Sequence, residues 1–144
     1  MKIRVGITLD ATPDATWRVV EPIEQHVDWM ADAESIRFTT PQTRDVGTAF
    51  DCVTKVGPFR LTDRMSVTEW DPGRAMGIEH RGVVTGRGRF TLEPEGAGTR
   101  FTWNERLVFP WWMGGPVGAF AASPVLRAIW RRNLRRLKSI VEAT

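Results

Sequence analysis

The sequence has one cysteine, Cys52, two histidines, no tyrosine and no run of 18 apolar residues. A lone cysteine makes no internal disulfide and leaves no second thiol for a zinc site. Cys52 lies in a strand pattern without a paired base, so it reads as a small buried hydrophobe and not a nucleophile. His26 and His80 are far apart and bring no converging set of metal ligands, so no metal is expected. The missing apolar runs exclude a membrane-spanning helix. The opening MKIRVGITLDA alternates charged and apolar residues and lacks the apolar block of a signal peptide, which reads as a cytoplasmic chain. No GxSxG, P-loop or dinucleotide fingerprint occurs. Gly86-Arg87-Gly88 lies mid-strand with no helix after it to receive a phosphate, so no cofactor is expected.

With 144 residues there is room for one domain over 1–144 with one core. The net charge is +3, and six of the 20 basic residues (Arg127, Arg131, Arg132, Arg135, Arg136 and Lys138) fall in the last helical pattern. No aromatics are interleaved on that face to stack bases, so they read as a solvated face and nucleic acid is not an expected partner. Nothing in the pattern fixes an oligomeric state.

Residues 2–10 alternate as a half-buried strand, with Ile3, Val5, Ile7 and Leu9 on one side. Thr12-Pro13-Asp14 supplies an N-cap, a first-turn proline and an acid for a short helix reaching about Glu21. A second short helix after Pro22 would turn Ile23, Val27 and Met30 inward. Strands are predicted near 35–40, 46–55, 59–70, 74–81, 83–94 and 98–109. Val56-Gly57-Pro58, Asp71-Pro72-Gly73-Arg74 and Glu95-Gly96-Ala97-Gly98 make tight links, which requires an antiparallel meander. Ser123-Pro124 predicts the cap of a long terminal helix carrying Leu126, Ile129, Trp130, Leu134, Leu137 and Val141 on one stripe, with an earlier turn or two from Gly115 to Ala122 and a kink between.

Several phrases lie along this order: Ala11-Thr12-Pro13-Asp14-Ala15-Thr16-Trp17, Val46-Gly47-Thr48-Ala49-Phe50, Val67-Thr68-Glu69-Trp70-Asp71-Pro72, Gly86 to Pro94, and Gly98 to Trp103. Together they resemble the START-like and Bet v 1-like superfamily, polyketide cyclase/dehydrase-like domains included. The resemblance implies an α+β helix-grip fold: a curved seven-stranded antiparallel sheet, two short helices and a long C-terminal helix, with a cavity between sheet and helix. It implies binding of a small hydrophobic molecule, a lipid, isoprenoid or polyketide-like aromatic. The first alternative is a polyketide cyclase or dehydratase using the same cavity. A peripheral module touching anionic membrane through the basic helix is the second, and it competes with the internal need for that helix's apolar stripe.

Strand alternation assigns the inward side chains, with the proviso that a one-residue bulge flips every position beyond it. Phe59, Leu61, Asp63, Met65 and Val67 face in from one strand, Gly86, Gly88, Phe90 and Leu92 from another, and Phe101, Trp103, Glu105, Leu107 and Phe109 from the last. The expected ligand-contacting set is Trp29, Phe50, Leu61, Asp63, Met65, Gly86, Gly88, Phe90, Trp103, Glu105, Trp112 and Trp130. Gly86 and Gly88 either clear ligand space or permit a bend or a close approach. Asp63 and Glu105, with Glu79 on the intervening strand, are the acids of this face and the candidate catalytic groups. An internal pair with Arg81 or Arg106 would neutralise them. Trp17 and Trp70 read as framework. Phe109-Pro110-Trp111-Trp112-Met113-Gly114-Gly115 reads either as an apolar lip at the cavity mouth or as a plug folded over the core.

Overall fold

The computed structural model describes residues 1–144. Strand β1 (Lys2–Leu9) is followed by helix α1 (Pro13–Val20) and a 3-10 turn at Ile23–Asp28. Strands β2 (Ala33–Phe38), β3 (Ala49–Val56), β4 (Phe59–Asp71), β5 (Ala75–Arg81), β6 (Thr85–Glu95) and β7 (Gly98–Val108) come next. A short 3-10 turn at Trp111–Met113 leads into helix α2 (Gly115–Ala143). The strands form one antiparallel sheet in the order β1-β7-β6-β5-β4-β3-β2. This is the helix-grip architecture, with the first strand carried to the far side of the meander.

The α1 cap forms as the residue types require: Thr12 Oγ1 accepts from the Ala15 amide at 3.2 Å, with Pro13 opening the helix. The next element is a 3-10 turn, so its inward positions recur every three residues. Ile23, His26 and Trp29 are therefore buried, while Val27 is only half-buried.

Two boundaries differ from the sequence reading. Residues 39–48 form a loop where strands were expected at both ends. The Gln42 amide donates to Arg44 O, Val46 O and Thr48 Oγ1, while Asp45 and Gly47 take φ of 76° and 94°. Those internal bonds replace ladder pairing. The terminal helix is continuous from Gly115 instead of starting at Ser123, with Pro124 inside it and Gly114 in the left-handed region as its N-cap.

The core lies between the concave face of the sheet and the C-terminal half of α2. Leu134, Leu137 and Val141 are buried against Ile3, Val5, Leu9 and Phe101. Trp17 meets Trp70 edge-on at 5.3 Å, closing the framework end as expected.

Candidate functional site

Away from that core the sheet and α2 diverge and leave a cavity of about 390 Å³. Hydrophobic residues make up 21 of its 29 lining residues, which sets its chemistry as apolar. It opens where Phe59 and Val125, both on its wall, are 68% and 53% exposed.

Of the residues singled out in the sequence, Phe50, Leu61, Met65, Phe90, Trp103 and Trp130 line the cavity, as do Asp63, Gly88 and Glu105. Three do not. Trp29 is fully buried behind the wall, edge-on to Phe101 and Trp103. Gly86 packs against the β7 backbone, where an added Cβ would fall 1.8 Å from Arg106 O. Trp112 is 60% exposed and points away. The segment around it is not a plug: Trp111 also faces solvent, and only Phe109 and Met113 reach the cavity.

The polar part of the wall comes from three strands. Asp63 on β4, His80 on β5 and Glu105 on β7 all face inward. β6 runs between β5 and β7, which therefore lie about 10 Å apart. In register, His80 stands beside Gly86 and Glu105 beside Gly88. Because Gly88 has no side chain, His80 Nε2 donates to Glu105 Oε2 at 3.1 Å over the top of β6. A Cβ on Gly88 would sit 2.3 Å from Glu105 Oε1, so the carboxylate occupies the space that glycine vacates. Glu105 Oε1 is taken by the Trp103 indole N–H at 2.9 Å.

Asp63 is less well partnered. Thr54 Oγ1 reaches its Oδ2 at 3.5 Å, and Oδ1 is buried with no partner against Gly82, where a Cβ would lie 2.3 Å away. Burial raises the Asp63 pKa above the usual carboxylate value, opposed by the His80 charge and Thr54 and reinforced by Glu105. For His80, burial acts downward, but the hydrogen bond and charge of Glu105, with the charge of Asp63, outweigh it and hold its pKa above the ordinary histidine value.

Neither Arg81 nor Arg106, the partners foreseen, pairs with Asp63 or Glu105. Arg81 pairs with Glu79 on the outer face, so Glu79 is not an inner acid, and Glu105 is satisfied by His80 and Trp103. Both faces, Glu79 outward and His80 inward, follow from alternation along β5, where Met76, Ile78 and His80 all line the cavity, although the facing strand β4 bulges at Thr68. Trp70 pairs with Met76 and Glu69 with Gly77, but Val67 then pairs with Ile78 and Met65 with His80. The extra residue belongs to β4, where it shifts the alternation on either side of Thr68 and leaves the faces of β5 unchanged.

A second polar cluster docks α2. Trp130 Nε1 and Asn133 Nδ2 donate to the two oxygens of Asp32 at 3.2 and 2.8 Å, and Asn133 Oδ1 accepts from the Ala31 amide at 3.0 Å. Trp130 stacks on Trp103 at 4.9 Å, linking this cluster to the Glu105 site. Sequence reasoning missed Asp32 and Asn133. An asparagine on the apolar stripe of α2, one residue before Leu134, was the available signal. His26 donates to Val20 O at 2.7 Å and is held neutral, its pKa lowered by burial to about 4. Cys52 lines the cavity with its thiol pushed up by burial to about 11, which makes it inert.

Residues 1–142 match the family model described as polyketide cyclase / dehydrase and lipid transport. No curated protein matches. Among solved structures, TTHA0849 from Thermus thermophilus is similar at TM-score 0.83 and 18% identity, covering 99% of this chain and 98% of that one. A START superfamily protein from Mycobacterium smegmatis is similar at 0.81 and 11%, covering 99% and 97%. The Zhui aromatase/cyclase from Streptomyces sp. R1128 is similar at 0.77 and 16%, covering 99% and 93%. At these identities the likenesses establish the fold, and the family rests on the near-complete model match. The chain belongs to the polyketide cyclase / dehydrase and lipid transport family.

Proposed function

We propose that this protein binds a small hydrophobic molecule, a lipid, isoprenoid or polyketide-like aromatic, in the cavity between its sheet and α2. The observation that carries the reading is the cavity itself: about 390 Å³, predominantly apolar, with a few polar groups gathered at one place. Apolar cavities of about 150 Å³ already hold benzene, and ligand sites run from about 300 Å³ upward. Organic extraction of the purified protein followed by mass spectrometry tests it. A single co-purified apolar species in stoichiometric amount is expected. Protein that carries none, and that takes up no added apolar compound, contradicts the reading.

The His80–Glu105 pair supports a second reading, turnover of a bound polyketide-type chain. A histidine poised above its ordinary pKa and hydrogen-bonded to a carboxylate on an apolar wall is suited to moving protons. His80→Gln and Glu105→Gln should then abolish turnover of an added poly-β-keto substrate while leaving its affinity within about tenfold. Membrane contact is a further use. Arg131, Arg132, Arg135 and Arg136 of α2 stay exposed, as do Val117 and Phe120 in its first turns and Trp111 just before it. Sedimentation with anionic vesicles at low and high salt tests that use, and no low-salt binding excludes it.

A further inference from the structure

The charges on the cavity wall do not balance, and the imbalance limits what the polar end of a ligand can be. Three carboxyl groups line the cavity, Asp32, Asp63 and Glu105, together with two histidines and one arginine. His26 is held neutral by its burial. Arg89 is turned to the outer face, where Glu69 takes it in two hydrogen bonds at 2.7 and 3.1 Å. The only group inside that can carry positive charge is therefore His80, and its hydrogen bond goes to Glu105.

The acids are not equally free. Asp32 is satisfied by Trp130 and Asn133, and Glu105 by Trp103 and His80. Asp63 has only the long contact from Thr54, leaving Oδ1 buried without a partner. A carboxylate offers about four acceptor positions, so Asp63 is the wall group with capacity left. It and its neighbours do not converge on one point as metal ligands would. A donor or a cation bound at Asp63 would relieve its burial, whereas a second anion would add uncompensated negative charge to an apolar site.

We propose that the polar end of this cavity, at Asp63 beside His80 and Glu105, selects apolar molecules ending in a neutral hydrogen-bond donor or a cationic amine and rejects the matching carboxylates. The inference rests on the binding reading above and narrows it, removing free fatty acids and other apolar acids from the candidate ligands.

Four probes of one shape test it: naphthalene, 2-naphthol, 2-naphthylmethylammonium and 2-naphthoate. Each is titrated into the full chain at pH 7 and followed by calorimetry and tryptophan quenching. The naphthol and the ammonium should bind more tightly than naphthalene, and the naphthoate at least about tenfold more weakly than the naphthol. Asp63→Asn should weaken the ammonium about tenfold, narrow the naphthol–naphthoate gap and leave naphthalene unchanged, the last showing that the cavity is intact. Naphthalene binding with naphthol and naphthoate equal overturns the selection and leaves the binding reading standing. Failure of all four, naphthalene included, overturns the binding reading and the selection with it. Should Asp63→Asn fail to fold, the order of the four probes on the unaltered chain decides alone.

Discussion

His80 Nε2 and Glu105 Oε2 lie 3.1 Å apart although a whole strand runs between the strands that carry them. The contact exists because β6 contributes glycine beside Glu105, at Gly88, where a side chain would occupy the space that the carboxylate fills.

Gly88→Ala should therefore destabilise the protein, although removing a strand glycine ordinarily does the reverse. The new Cβ would meet Glu105 Oε1 at 2.3 Å and displace the carboxylate from both its donors. A loss of about 1–3 kcal/mol in urea unfolding is expected, together with a fall in the His80 pKa measured by NMR. An unchanged His80 titration would contradict the bridge.

The two histidines should act on stability with opposite signs. His26 has a folded pKa near 4, below its unfolded value near 6.5. As pH falls through that window the unfolded chain takes up a proton that the folded chain refuses, so stability is lost, by about 3 kcal/mol from this group. His80 has its folded pKa raised, so its contribution is fully present below the unfolded value and is lost as pH rises through the folded one. Denaturant titrations between pH 4 and 9 on His26→Gln and His80→Gln check this. Relative to the parent, the first should flatten the acid limb and the second should remove part of the decline toward alkaline pH.

Asn133→Ala should cost about 1–3 kcal/mol, read by urea unfolding, because it leaves Asp32 Oδ1 and the Ala31 amide without their partners. Asn133→Asp should be worse than the alanine, since it sets a carboxylate against Asp32. Equal stability of parent and alanine variant would show that α2 is docked by apolar contact alone.

Most of the fold could be read from the residues, because periodicity, turn chemistry and the Thr12-Pro13 cap agree along the chain. The inner placement of Asp63 and Glu105 followed from alternation within single strands, which is local information. Alternation along β5 likewise puts His80 on the inner side with Met76 and Ile78, and assigning that strand's inner face by Glu79 instead of by its apolar residues conceals it. Gly86 and Gly88 were noticeable for the volume they remove. What fills that volume is the β7 backbone at Gly86 and the Glu105 carboxylate at Gly88, which only the register reveals. The burial of His26 was hidden for a similar reason: a 3-10 turn, with its period of three, puts it on the inner side.

Trp111→Ser and Trp112→Ser, alone or together, should change stability by less than about 0.5 kcal/mol, since both rings stand in solvent. Met113→Ala touches the cavity and should instead alter ligand affinity. Thermal unfolding and titration of the three variants separate the effects. A large loss of stability from the tryptophan changes would mean that they cover the core after all.

The central claim is that the space between sheet and helix is a binding site, and filling it is the most direct test. Met65 projects into the cavity from β4 and is half-buried, so Met65→Trp adds bulk there while Asp63, His80 and Glu105 themselves are unaltered. Calorimetric titration of 2-naphthol into the parent and into Met65→Trp, with circular dichroism to show that both are folded, is the measurement. Saturable one-to-one binding to the parent and its loss in the filled variant is the predicted result. No saturable binding to the parent, or equal binding to both, would contradict the account.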